Sequence, residues 1–96
     1  MVAYWINSFR DDPDSEKLAR YAEAAGPVMT AHGGRFLARG LPAVVFEDGL
    51  PFRTVIIEFP SVADAEAAYH SDAYQAALAW LEGEAPRDMR VIDSAP

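Results

Sequence analysis

The sequence contains no cysteine among its 96 residues, which excludes disulfide bonds, thiolate catalysis and zinc sites built on sulfur. Basic residues are also few: eight Lys and Arg stand against fifteen Asp and Glu, and the net charge of −7 would repel a phosphate backbone. We therefore expect no nucleic-acid partner. No apolar run approaches the roughly 18 residues of a membrane span, and the first residues lack a signal-peptide pattern. These absences predict a cytoplasmic location and no membrane partner.

Apolar content, in contrast, is ample. Hydrophobic residues make up 51% of the sequence and charged residues 24%, a balance typical of a globular protein. A chain of this length holds one core, so residues 1–96 are predicted to form a single domain. A domain this small buries only about 60 to 65% of the surface of its unfolded chain, and covering a further face by association would stabilise it.

The hydrophobic patterns predict six elements in the order strand, helix, strand, strand, helix, strand. Asp12 before Pro13 is predicted to cap the first helix, and Pro27 to kink or restart it. The second strand is expected to resume after a break, and the second helix is expected as one bent helix or two short ones. The predicted elements cover residues 2–9, 12–31, 35–38 with 44–46, 52–59, 62–82 and 88–93.

This order matches the split βαβ plan, in which right-handed crossovers place both helices on one face of the sheet. We therefore predict a ferredoxin-like α+β sandwich with a four-stranded antiparallel sheet. Its other face is left bare and carries an apolar patch larger than a monomer usually exposes. A second copy is predicted to cover that patch, giving a homodimer through the sheet faces. The residues expected on the bare face are Trp5, Asn7, Phe9, Leu37, Arg39, Thr54, Ile56, Glu58 and Ile92.

Four segments carry a resemblance to a known family. They are YWI from Tyr4, GGRFLARG from Gly33 to Gly40, VIIEFPS from Val55 to Ser61, and SDAYQ from Ser71 to Gln75. Together they resemble the domain-of-unknown-function family 1330, whose members are similar in fold to the dimeric α+β barrels. The resemblance implies the fold and dimerisation but no established reaction.

Two residues are candidates for moving a proton. Glu58 is the one carboxylate in an otherwise apolar strand, and burial would raise its pKa toward that of a general base. His32 at the end of the first helix either acts as an acid or base or simply caps the helix. His70, at the joint between the two helical segments, is expected to be solvated.

Two arginines are candidates for binding an anion. Arg35 and Arg39 lie four residues apart in one predicted strand and therefore on one face. Their guanidinium groups suit a carboxylate or phosphate on a small ligand. The structural alternative is an ion pair, either Arg39 with Glu58 or Arg35 with an acidic loop.

Asn7 and three aromatic residues complete the predicted site. Trp5, Tyr69 and Tyr74 either wall a pocket for a flat ligand or form ordinary core. No nucleotide-binding motif and no cluster of metal ligands occurs, so no cofactor or metal is expected. Two functions stay open. The first is a module that binds a small acidic or aromatic metabolite, for which the resemblance of fold implies cofactor-free monooxygenase- or isomerase-like chemistry. The second is a non-catalytic homodimer that acts as a binding protein, a sensor or an interaction module.

Overall fold

The computed structural model describes residues 1–84 and 86–96, which form a four-stranded antiparallel sheet covered on one side by helices. The strand order is β2-β3-β1-β4, so β1 and β3 are central and the other two strands form the edges. The predicted ferredoxin-like α+β class is confirmed. The elements are β1 Ala3–Phe9, α1 Ser15–Ala31, β2 Arg35–Gly40, β3 Thr54–Phe59, α2 Val62–His70, α3 Asp72–Leu78, a 3₁₀ turn Ala79–Leu81, and β4 Arg87–Asp93.

Helix α1 begins two residues later than predicted. Its N-cap is Asp14, whose carboxylate accepts from the backbone N–H of Lys17 at 3.0 Å. The predicted cap, Asp12, lies outside the helix. The helix also continues through Pro27 without restarting. Gly26 precedes the proline and has no Cβ to collide with its ring, which removes one steric conflict with helical geometry there.

The second strand is shorter than predicted. It ends at Gly40, whose φ of +151° is a backbone conformation that residues with side chains rarely adopt. Pro42 then offers no backbone N–H to a ladder. Residues 44–46, predicted as a continuation of the strand, lie in the connection to β3 with exposed side chains.

The second helical region divides into two helices at Ser71, which was one of the two predicted alternatives. The Ser71 hydroxyl accepts from the backbone N–H of Tyr74 at 3.1 Å and donates to the carbonyl of Ala68 at 2.8 Å. One side chain thus ends α2 and caps α3. Among the described residues, no helix is long and apolar enough to cross a membrane.

The residues of β1 that face the helices are not the ones predicted to do so. Trp5, Asn7 and Phe9 are buried against the helices and do not line the bare face. They alternate with Tyr4 and Ile6, which do face the open side. Alternation of side chains along the strand puts Trp5 and Phe9 together on the inward side.

A β-bulge explains why Arg35 and Arg39 point to opposite sides of the sheet. Arg35 pairs with Glu58 and Arg39 pairs with Val55, and the register shifts between Phe36 and Ala38. The extra residue reverses the alternation of side chains along β2. The prediction that both arginines share a face is therefore wrong. The open face consists of Tyr4, Ile6, Ser8, Arg35, Ala38, Thr54, Ile56, Glu58, Asp88, Arg90 and Ile92.

Candidate functional site

A cavity of about 40 Å³ lies between α1 and the helix-facing side of the sheet. Apolar side chains form most of its wall. Four polar side chains also line it, from β1, α1, β2 and the residue before β3: Asn7, Tyr21, Arg39 and Arg53. Arg39, one of these lining residues, is itself exposed at the surface. The remaining lining residues are Trp5, Phe9, Leu18, Ala22, Ala25, Gly26, Met29, Phe36, Val55 and Ile57.

Asn7 is a deeply buried polar residue in this mostly apolar wall. It lies in the central strand β1 with only 3% of its surface exposed, and its Oδ1 atom has no hydrogen-bond partner among the described residues. An unsatisfied buried acceptor destabilises the folded state by about 1–3 kcal/mol. A valine or leucine would avoid that cost, so Asn7 is the residue of the wall that packing alone does not account for.

Two arginines lie together at the cavity. Burial, and after it the positive charge of Arg39, lower the pKa of Arg53. Arg39 pairs with Val55 across β2 and β3, and Arg53 stands two positions before Val55. Arg39 also lies over the ring of Phe36 at 4.6 Å. Neither arginine joins the ion pairs that the described residues form. Two cations that line one cavity, without a carboxylate partner among the described residues, make a site suited to an anion.

Glu58, predicted as a general base, lies on the open face and not in the cavity. Its carboxylate accepts from Arg35 at 3.2 Å. The predicted ion pair between Arg39 and Glu58 is therefore wrong. The alternative, an ion pair of Arg35 with an acidic loop, is wrong as well, because Arg35 pairs with Glu58 of the neighbouring strand. The bulge in β2 is again the cause, since it moves Arg39 to the other side of the sheet.

The two histidines lie outside the cavity as well. His32 is the C-cap of α1, and its Nδ1 is 2.9 Å from the carbonyl oxygen of Val28. This position fits the capping alternative. His70 is exposed at the end of α2, where its ring contacts that of Tyr69 edge-on at 5.3 Å.

The predicted aromatic residues form a cluster behind the cavity wall. The Trp5 ring meets those of Tyr69 and Tyr74 at centroid distances of 6.0 and 5.4 Å. Only Trp5 of these three lines the cavity. Tyr74 is fully buried, which fits the alternative that it is core.

Sequence reasoning missed a buried polar cluster next to this core. The hydroxyls of Tyr21 and Tyr74 are 2.7 Å apart, and Arg87 donates to both phenolic oxygens at 3.1 and 3.3 Å. Burial and the neighbouring Tyr21 raise the pKa of Tyr74, against the opposing effect of Arg87. Burial by itself lowers the pKa of Arg87, but the two phenols raise it by more, so the pKa of Arg87 lies above its ordinary value. The cluster joins α1, α3 and β4, a contact that no local sequence pattern indicates.

Sequence reasoning also missed Arg53. Arg53 lies just before β3, two positions before Val55. The strand was predicted to start at residue 52, and alternation of side chains along it places Arg53 on the same side as Val55, where it lines the cavity. Asn7 and Arg39 were predicted as ligand-binding residues, and the cavity brings them together on the helix-facing side. No carboxylate or imidazole among the described residues lines the cavity, and its polar groups can bind and orient a molecule through hydrogen bonds and positive charge.

The strand order and the one-sided helical layer define a protein of the ferredoxin-like α+β class. Similar solved structures include a protein of unknown function from Rhodopseudomonas palustris, with 21% identity and a TM-score of 0.75 over 99% of this chain and 83% of that chain. A dimeric ferredoxin-like protein of unknown function from Thermobifida fusca has 17% identity and a TM-score of 0.70 over 98% and 92%. SnoaB, a cofactor-independent oxygenase from Streptomyces nogalater, has 9% identity and a TM-score of 0.70 over 99% and 94%.

The chain matches a sequence family over residues 2–95 and belongs to it: the family is described as "Domain of unknown function (DUF1330)". This confirms the family to which the four segments pointed. No curated protein matches the sequence. At the identities above, the solved structures establish the fold alone.

Proposed function

We propose that this protein binds a small carboxylate-bearing metabolite in the cavity between α1 and the sheet. The observation that carries the proposal is that two guanidinium groups, those of Arg39 and Arg53, line a mostly apolar cavity without a carboxylate partner among the described residues. The anionic group of the ligand would supply the missing negative charge. Asn7 and Tyr21 give the cavity its remaining polarity.

The proposed role is binding and not acid–base catalysis. Glu58 and His32, the two predicted proton-transfer residues, are engaged with Arg35 and with the Val28 carbonyl and lie outside the cavity lining. A ferredoxin-like fold supports oxygenases as well as proteins without a known reaction, so fold likeness alone does not supply a mechanism. The polar groups present favour a binding protein.

Removing the paired charges tests the proposal. We expect Arg39→Met and Arg53→Met each to raise the Kd for heptanoate, a simple carboxylate probe, about tenfold, because each removes one charge-assisted hydrogen bond to the carboxylate. Isothermal titration at fixed low salt measures the effect. Arg35→Met is the matched control, since it removes an arginine from the opposite face of the sheet. Equal binding by all four proteins contradicts the proposal.

We further propose that the open face of the sheet is the interface of a homodimer, as predicted from the sequence. Tyr4, Ile6 and Ile56 give this face an apolar centre. Its charges cancel, because Arg35 is paired with Glu58 and Arg90 with Asp88 at 2.9 Å. Although the chain carries a net charge of −7, two copies would therefore meet through neutral surfaces.

A pair of adjacent residues tests this interface. Ile92→Glu is expected to convert the dimer to a monomer at 20 μM protein, because it would bury an unpaired carboxylate. Ile92 is 57% exposed in one chain, so the change leaves the core intact. Val91→Glu is the control: Val91 is 39% exposed and lies on the other side of the same strand. Light scattering after size exclusion distinguishes the outcomes, and a monomeric wild-type protein would refute the interface.

A further inference from the structure

The buried acceptor of Asn7 indicates which further group the ligand carries. Asn7 Oδ1 faces no donor among the described residues although its side chain is almost completely buried and lines the cavity. A hydrogen-bond donor that enters the cavity beside Asn7 and reaches this oxygen would satisfy it. A ligand hydroxyl or N–H group would satisfy it, whereas a methyl group would leave it unpaired.

The strand register fixes where this acceptor lies relative to the positive charge. Asn7 pairs with Val55 across β1 and β3, and Val55 pairs with Arg39 across β3 and β2. The three residues therefore form one row on the helix-facing side of the sheet. Since neighbouring strands lie about 4.8 Å apart, the Cα atoms of Asn7 and Arg39 are separated by roughly 10 Å. A ligand that spans this row lies over Val55 with its two ends at different polar groups.

The size of the cavity restricts the part of the ligand between those ends. Its volume is about 40 Å³, whereas a cavity that binds benzene measures about 150 Å³. An aromatic ring does not fit without movement of α1. An unbranched chain has a smaller cross-section and can enter end first, with only its terminal atoms inside the cavity and its carboxylate at the surface beside Arg39. The cavity therefore favours a slender ligand over the flat aromatic ligand that the sequence had suggested as one alternative.

We infer that the ligand is a slender, unbranched carboxylate with a hydrogen-bond donor at its far end, such as an ω-hydroxy acid, and that Asn7 selects this donor. The inference rests on the proposed function, because it takes the carboxylate of the ligand to lie on Arg39 and Arg53. Asn7 is thus a specificity-determining residue. A water molecule bound to Asn7 Oδ1 is the competing account, and it predicts no preference for a ligand donor.

Two isosteric probes test the inference. In 6-hydroxyhexanoate and heptanoate the same carboxylate chain ends in a hydroxyl or a methyl group. The wild-type protein is expected to bind 6-hydroxyhexanoate about tenfold more tightly by isothermal titration, since a site built to hydrogen-bond a hydroxyl rejects the analogue that lacks it. In Asn7→Val the preference should disappear or reverse. The same variant should melt at the same temperature as the wild type or higher, because it removes the unsatisfied acceptor.

The outcomes separate this inference from the proposed function. If heptanoate binds in a manner that depends on Arg39 and Arg53 but the hydroxyl gives no advantage, the role of Asn7 is wrong and the carboxylate site stands. If neither probe binds in that manner, both proposals fail. If the wild type prefers the hydroxyl and Asn7→Val retains that preference, another residue recognises the donor and the inference is overturned. The comparison of probes on the wild-type protein decides the question even if the variant does not fold.

Discussion

Trp5→Ala is expected to lower the free energy of unfolding by about 3–5 kcal/mol, the usual cost of truncating a fully buried aromatic residue. Trp5 is 2% exposed and touches the rings of Phe59, Tyr69 and Tyr74. Native domains are stable by only about 5–15 kcal/mol, so this change removes a large share of the total. Urea unfolding followed by circular dichroism, at one fixed protein concentration, measures the loss.

The second tryptophan provides the matched control. Trp80 is 47% exposed, and its described aromatic contact is with the guanidinium of Arg20 at 5.8 Å. Trp80→Ala should therefore cost less than about 1 kcal/mol. Trp5→Phe keeps part of the buried area and should fall between the two alanine variants. Equal destabilisation by Trp5→Ala and Trp80→Ala would contradict the placement of the core.

High pH is expected to destabilise the folded protein through Tyr74. Burial raises the pKa of this phenol above its ordinary value of about 10. Above pH 10 the unfolded chain releases the Tyr74 proton while the folded chain keeps it, so the unfolded state binds fewer protons. Stability is therefore fully present below pH 10 and falls above it by about 1.4 kcal/mol per pH unit. From pH 10 to 11.5 this contribution amounts to about 2 kcal/mol.

Tyr74→Phe isolates that contribution, because it keeps the ring and removes the titrating hydroxyl. Tyr21 can still accept a hydrogen bond from Arg87 in this variant, so the polar cluster keeps one of its phenols. Urea unfolding between pH 9 and 11.5 should give a shallower decline for Tyr74→Phe than for the wild type. Parallel declines would show that Tyr74 does not hold its proton more strongly in the folded state.

The two sides of the sheet serve separate purposes in our proposals. The helix-facing side holds both the core around Trp5 and the small cavity with Asn7, Arg39 and Arg53. The open side carries internally paired charges around an apolar centre. Variants at Ile92 and at Arg39 therefore act on dimerisation and on ligand binding through opposite surfaces, and each serves as a control for the other.

The fold was predictable because it depends on patterns that are local in the sequence. Alternation of residue types identified the strands, and the joint between two helical segments was expected at His70, next to the observed division. Element order together with the handedness of crossovers then leaves few topologies. Predictions failed where local signals compete, as at Asp12 and Asp14, which are both good N-cap residues.

The sequence by itself determined the family, the order of the elements and the absence of cysteine chemistry. Only the tertiary structure decided which polar groups meet. A single extra residue in β2 places Arg39 on the side of the cavity, while Arg35 pairs with Glu58 on the open face. The residue types of that segment do not predict the bulge. The reason is physical: hydrophobic patterns record which residues avoid water, whereas strand register and helix packing fix the partners of each buried polar atom.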